Sequence, residues 1–299
     1  MTIFFQLVKN YGDKMSDRIV YVNGEYLNEK DAKISVFDRS FLFADAVYEV
    51  TTIVDRKILE WEGHYTRLLR SLNELEIPIP LSEEELIDIH RNLISKNSLD
   101  EGIVYLQISR GIADRDFNYP ENCTPSIVLF TQDKSFSESI GAKNGIKVIT
   151  VPDIRWARRD IKTVQLLGPS MCKMMAKKAG KDDAWMVENG FVNEGTSNNA
   201  HIITKDETLI TRNTSNSILA GVTRASILKY ADNEGIKIIE RPFSVQEALN
   251  AKEAFISSAS QFVCPVIEID NIKINDGKPG KISKELRNIY INQSIKNAI

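Results

Sequence analysis

Cysteine is scarce. The chain has three, Cys123, Cys172 and Cys264, scattered and odd in number, which excludes a disulfide framework or a Cys-x-x-Cys site. Its three histidines, His64, His90 and His201, stand alone, so no metal site is expected. No apolar run approaches a membrane span, and the short apolar stretch at 3–8 has no basic segment before it, so neither an anchor nor a signal peptide is expected. Charge of one sign is also lacking. The formal net charge of -3 gives no electrostatic basis for binding nucleic acid. Neither G-x-G-x-x-G nor G-x-x-x-x-G-K-[ST] occurs, which sets aside the common nucleotide-binding loops. What remains is 42% hydrophobic and 26% charged, the composition of a packed globular protein. At 299 residues it has room for one large domain or two ordinary ones. A cytoplasmic location is expected.

Local patterns give elements of both kinds. Residues 1–18 show no clear period and are read as an arm. Residues 19–22 and 25–27 flank Asn23-Gly24, a strong hairpin signal because both turn positions accept positive φ. Residues 47–54 and 57–61 read as a second hairpin around Asp55-Arg56. Over 63–77 the period changes, and Tyr65, Leu68, Leu69, Leu72 and Leu75 form a helical stripe with Arg67 beside it. Ser82 and Glu85 make a capping box for a helix reaching Lys96. Strands are expected at 103–109 and 126–131, separated by a long polar loop of the kind that often carries function. Residues 132–144 lose all periodicity. The connection is placed at 135–144, between an N-terminal domain over 1–134 and a C-terminal domain over 145–299. In the second, strands at 146–151, 184–187, 191–193, 200–204, 208–211, 236–239, 254–258 and 266–270 are interleaved with helices at 169–178, 222–233 and 279–295. Ser244 and Glu247 mark a further capping box. The absence of βαβ regularity favours an α+β fold over a doubly wound sheet.

Three groups carry chemistry. Lys162 stands in RWARRDIKTVQLLG, after Arg155, Arg158, Arg159 and Asp160. A lysine amine condenses with an aldehyde only when unprotonated, and neighbouring cations are expected to favour that form. Glu194, in VNEGTSNN, supplies a carboxylate and is followed by a small polar run suited to passing close to a ligand. Gly221-Val222-Thr223 opens a helix, where free N–H groups bind anions, and 257–260 offers a second small-residue turn. Arg67 is a candidate for a charge-assisted pair with that anion. An amine, a carboxylate that can keep a ring nitrogen protonated, and an anion cradle are together what a pyridoxal phosphate site requires.

The motifs DRSFLFADAVYEV, HYTRLLRSL, DIRWARRDIKTVQLLG, VNEGTSNN, ILAGVTR and PVIEIDNIKINDGKPG span nearly all of 19–280. In their order and spacing they resemble the fold-type IV pyridoxal phosphate enzymes, most of all the D-amino-acid aminotransferase branch. The resemblance implies a two-domain α+β fold with the cofactor in the cleft. It implies Lys162 as Schiff-base lysine and proton carrier, and Glu194 as partner of the pyridine nitrogen. Arg67, Val222, Thr223, Ser258 and Ala259 fall on cofactor-binding positions, and Tyr48 and Ser260 on substrate-binding ones. It also implies a homodimer whose sites borrow residues from the other subunit. The implied reaction is a ping-pong transfer of an amino group from a D-amino acid such as D-alanine to a 2-oxo acid such as 2-oxoglutarate.

The chain departs from that pattern at three places. Familiar D-amino-acid enzymes hold the substrate carboxylate with an arginine and a histidine one residue apart, whereas this chain has Arg115-Asp116-Phe117. Phe117 donates no hydrogen bond, while Arg115 keeps a bidentate contact open, so an altered carboxylate site is expected. Ala44 and Ala46 stand where the pattern FGDGVYE has glycines. The alternatives are a branched-chain L-amino-acid or (R)-amine transaminase, or an aminodeoxychorismate lyase. The branched-chain pattern would want Phe-Glu-Gly at 48–50 and Gly-Thr-Ala at 258–260, and neither is present. A cofactor-binding module without turnover would not need both Lys162 and Glu194.

Overall fold

The structure, a computed structural model, describes residues 17–136 and 139–299. Apart from Asp17 and Arg18, the expected arm lies outside the described residues. The first hairpin forms as its turn residues dictate. β1 (Ile19–Val22) pairs antiparallel with β2 (Glu25–Asn28), with Asn23 at φ 48° and Gly24 at φ 104° between them. A short helix, α1 (Arg39–Phe43), follows, capped by Asp38, which accepts from Ser40 N at 2.8 Å. Sequence periodicity could not show it, because one turn has no period to read.

β3 (Ala46–Val54), β4 (Lys57–Ile58), β5 (Glu101–Ser109) and β6 (Ser126–Asp133) complete an antiparallel sheet in the order β2-β1-β6-β5-β3-β4. Two helices cover one face: α2 (Trp61–Glu74) and α3 (Glu83–Lys96), the latter opened by the expected Ser82–Glu85 capping box. Leu68, Leu72, Leu86 and Leu93 pack there on Ile53, Val104, Leu106 and Leu129. Burying each such side chain stabilises the fold by roughly 1.5–3 kcal/mol. α2 begins at Trp61 rather than Gly63, and β4 is shorter than expected, because Glu60 at φ 55° ends the strand. Leu69, placed in the apolar stripe by the sequence, is 38% exposed, since Trp61 and His64 rotate the buried face.

β7 (Ile146–Pro152), β8 (Asp183–Glu188), β9 (Phe191–Gly195), β10 (Asn199–Ile203), β11 (Leu209–Thr211), β12 (Ile238–Glu240), β13 (Glu253–Ser258) and β14 (Phe262–Ile269) form the second sheet. Their order is β12-β11-β10-β13-β14-β7-β8-β9, with β15 (Ile272–Lys273) folded back on β14. β7 runs parallel to β8 and β14, β12 parallel to β11, and the remaining pairs are antiparallel. The helices are α4 (Ile140–Asn144), α5 (Leu167–Lys178), α6 (Val222–Asn233), α7 (Val245–Leu249) and α8 (Lys281–Lys296). The result is a two-domain α+β fold. The stretch read as an unstructured connection carries structure in part: β6 runs to Asp133, Phe136 is buried, and α4 packs on β14. Along one side of the cleft the two units share a core, where Leu59 and Ile103 meet Ile227, Phe255 and Tyr290.

Leu93 is fully buried between α3 and the first sheet. Leu93→Ala is expected to cost about 2–5 kcal/mol through the cavity it leaves. A lowered unfolding midpoint in denaturant titration checks it.

Candidate active site

A cavity of about 200 Å³ opens between the two sheets. Lys162 reaches it through a backbone arrangement local to β3. Because β4 pairs only with Ile53 and Val54, the start of β3 keeps a free edge. The connection after β7 fills that edge: Tyr48 N donates to Lys162 O at 3.0 Å, and Val164 N donates to Ala46 O at 3.2 Å. Lys162 Nζ then lies over the Tyr48 ring, 4.0 Å from its centroid. Both residues line the cavity.

The arginines before Lys162 do not form the bare positive cluster expected from the sequence. Each is paired with carboxylates. Arg155 binds Asp153 through Nε and Nη2, at 2.9 and 2.7 Å, and binds Glu194 through Nη1. Arg158 joins Glu74 and Asp160, at 2.5 and 3.1 Å, and Arg159 makes a two-pronged contact with Glu188 at 2.9 and 3.0 Å. Folding thus spends these charges on neighbouring acids rather than on the lysine.

Glu194 sits within β9, not at a turn end in water, and is 4% exposed. Its carboxylate accepts from Arg155, from Asn199 Nδ2 at 3.0 Å and from Leu219 N at 3.2 Å. Burial pushes this carboxyl above its ordinary range, and the Arg155 guanidinium opposes that shift.

Arg67, on α2, gives Nε and Nη2 to Glu49, both at 2.8 Å, and Nη1 to Ala220 O at 3.0 Å. His64 Nδ1 meets the same carboxylate at 2.8 Å. Burial alone would raise the Glu49 carboxyl, but Arg67 overrides it and holds the carboxyl well below the usual range. The sequence reading missed Glu49, Arg155 as an ion-pair partner, and Asn199. A signal existed for Glu49. It alternates with Val47, Thr51 and Ile53 on the buried face of β3, where a lone charge requires a partner.

Val222 and Thr223 begin α6, and no side chain caps that start, so its first N–H groups remain open beside the cavity. The Ser258-Ala259-Ser260 turn between β13 and β14 lines the cavity too and is tied to β3, since Thr52 Oγ1 donates to Ala259 O at 2.6 Å. Arg67, Lys162, Glu194, Val222, Thr223, Tyr48, Ser258, Ala259 and Ser260 therefore converge on one space. Arg115 and Phe117 do not line it. Arg115 stands 5.6 Å from the ring centroids of Phe43 and Phe117, and Phe117 is 79% exposed. Ala44 adopts φ 55°, the left-handed region in which a glycine would be unstrained. Among the described residues, no group of three or more His, Cys, Asp or Glu side chains is placed to hold a metal ion.

The depressed carboxyl of Glu49 sets a pH dependence. Its contribution to stability is complete above its ordinary value of 4.5 and is lost as pH falls below that toward the value in the fold. Glu49→Gln is expected to cost about 3–5 kcal/mol at neutral pH by leaving Arg67 without its buried partner. It should also make the acid-side decline shallower. Unfolding midpoints measured from pH 7 down to about 3 check both signs.

Residues 46–269 match the model of the amino-transferase class IV family. The chain is 38% identical over 271 residues to a D-alanine aminotransferase of Staphylococcus aureus strain MSSA476, covering 90% of this chain and 95% of the relative. Among solved structures, the Escherichia coli branched-chain amino acid aminotransferase superposes with a TM-score of 0.86 at 23% identity, over 93% of this chain and 95% of that one. The branched-chain aminotransferase of the archaeon Thermoproteus uzoniensis, solved with norvaline, gives 0.85 at 21%, over 94% and 96%. With the family match over most of its length and the cavity chemistry around Lys162, this chain belongs to the class IV aminotransferases.

Proposed function

We propose that the enzyme moves the amino group of a D-amino acid such as D-alanine to a 2-oxo acid such as 2-oxoglutarate, in two half-reactions, with pyridoxal phosphate in the cavity at Lys162. The observation that carries the reading is the 38% identity with a D-alanine aminotransferase across 90% of the chain. The likeness to branched-chain enzymes, at 21% and 23% identity, is one of fold.

The residues fit that cofactor. A primary amine, a buried carboxylate and an open helix start face one cavity. Gly221 is needed there, because a Cβ at that position would stand 2.0 Å from Asn199 Oδ1, on the side chain that holds Glu194. When bound, the cofactor supplies an aldehyde carbon for an amine and a ring that accepts electron density from the substrate's α-carbon. Lys162 would hold the group through its amine and, with that amine free, would carry the proton of the substrate's α-carbon. Glu194 would stand by the ring nitrogen and favour its protonated form, with Arg155 opposing the upward pull of burial on the Glu194 carboxyl. Arg67, the N–H groups of Val222 and Thr223, and the Ser258-Ala259 turn take the phosphate. Tyr48 supports the Lys162 amine, and Ser260 faces the substrate.

The working unit in this reading is a homodimer in the cytoplasm, with a domain boundary in 135–144. Support for the dimer comes from large apolar side chains left exposed, among them Phe41 at 72%, Phe117 at 79% and Leu167 at 75%. Support for the location comes from three free cysteines and from the described residues, in which no helix is long and apolar enough to cross a membrane. Arg115, exposed and walled by aromatic rings, reaches the neighbouring subunit's cavity and binds the substrate carboxylate. Phe117 supplies an apolar wall there instead of a second donor.

Two experiments test these roles. Adding D-alanine to the enzyme loaded with pyridoxal phosphate should convert the visible absorption to that of the pyridoxamine form, with L-leucine and (R)-1-phenylethylamine inert. Lys162→Ala should abolish the conversion. Discharge by L-leucine instead would favour the branched-chain reading. Second, Lys162→Ala and Arg115→Ala proteins, each inactive alone, should regain activity when mixed under conditions that exchange subunits, because each mixed dimer holds one intact site. Failure to regain it would place Arg115 outside the neighbouring site.

A further inference from the structure

Glu60 breaks two habits of its position. It precedes the first turn of α2, where an acidic side chain ordinarily accepts from the helix's own N–H groups, yet it makes no such bond. Its backbone lies at φ 55°, a left-handed conformation that glutamate keeps only when its surroundings impose it. The carboxylate is directed instead at the other unit. Oε2 accepts from Ser226 Oγ at 2.6 Å, and Oε1 accepts from Ser294 Oγ at 2.5 Å.

Both serines lead back to the open start of α6. Ser226 stands one turn past Val222 on the same helix. Ser294, on α8 and 1% exposed, stands one helical turn past Tyr290, whose hydroxyl is 3.5 Å from Thr223 Oγ1. α2, meanwhile, carries Arg67 two turns beyond Glu60. The two helices touch closely, since a Cβ on Gly63 would stand 2.7 Å from Val222 Cγ1. The strained acid therefore sits where the helix bearing the guanidinium meets the helix bearing the free N–H groups.

We infer that Glu60 is a positioning residue for phosphate binding: it clasps α2 to α6 and so fixes the spacing between Arg67 and the N–H groups of Val222 and Thr223. The inference rests on the phosphate cradle proposed above. An ionised carboxylate suits the task because hydroxyl donors bind it more strongly than they bind a neutral acceptor. Two donors from two different helices also leave it little freedom to follow one of them.

The test uses apoenzyme and two ligands that differ only in the phosphate, pyridoxal 5'-phosphate and pyridoxal, with dissociation constants read from quenching of tryptophan fluorescence. Wild-type apoenzyme should prefer the phosphate-bearing ligand. Glu60→Ala should weaken its binding roughly ten-fold, the size expected for losing a hydrogen bond to a charged group. It should leave pyridoxal binding unchanged. Ser226→Ala, which removes one hydroxyl and little else, should weaken the same ligand selectively and decides the matter if Glu60→Ala fails to fold. Equal weakening of both ligands would make Glu60 a general structural residue, and unchanged affinities would remove the clasp. Either result overturns the inference. A wild-type apoenzyme without a phosphate preference would instead overturn the cradle, and the clasp with it.

Discussion

The pairing of Lys162 and Val164 with the open edge of β3 is the contact on which the site depends. Buried backbone N–H and C=O groups must find partners, and β4 is too short to serve the beginning of β3. The segment after β7 supplies those partners. In doing so it brings a lysine from the C-terminal unit over Tyr48 from the N-terminal one. The cavity, the shared core and the tie from Thr52 to Ala259 all build on that seam.

Around it, buried charge is handled by dividing the cations among the acids. Glu49 and Glu194 are both nearly inaccessible, and each bonds a guanidinium, Arg67 and Arg155 respectively. Their carboxyls still move in opposite directions. Arg67 is committed to Glu49 through two nitrogens, and the Glu49 carboxyl is held low. Arg155 is shared with Asp153, and burial keeps the Glu194 carboxyl raised.

Much of the fold was legible because its signals are local. Asn23-Gly24 gave the first hairpin and Ser82-Glu85 the start of α3, since both act within a few residues. The free start of α6 was also local, a glycine before a helical period. Readings failed where the deciding contact lay far along the chain. The arginines near Lys162 resembled a field acting on it, but Glu74, Glu188 and Glu194, distant in sequence, claim them. Glu60 fell inside the strand expected over 57–61, and only the approach of Ser226 and Ser294 explains its conformation.

The sequence by itself determined the family and the mixed α+β character, because these are carried by residue type, order and short-range pattern. The tertiary structure decided which charges pair, how deeply Glu49 and Glu194 are buried, and that Arg115 and Phe117 lie outside the cavity of their own chain. Those outcomes depend on distances between side chains brought together by folding. Electrostatic energy and desolvation vary steeply with such distances, and no spacing along the chain encodes them.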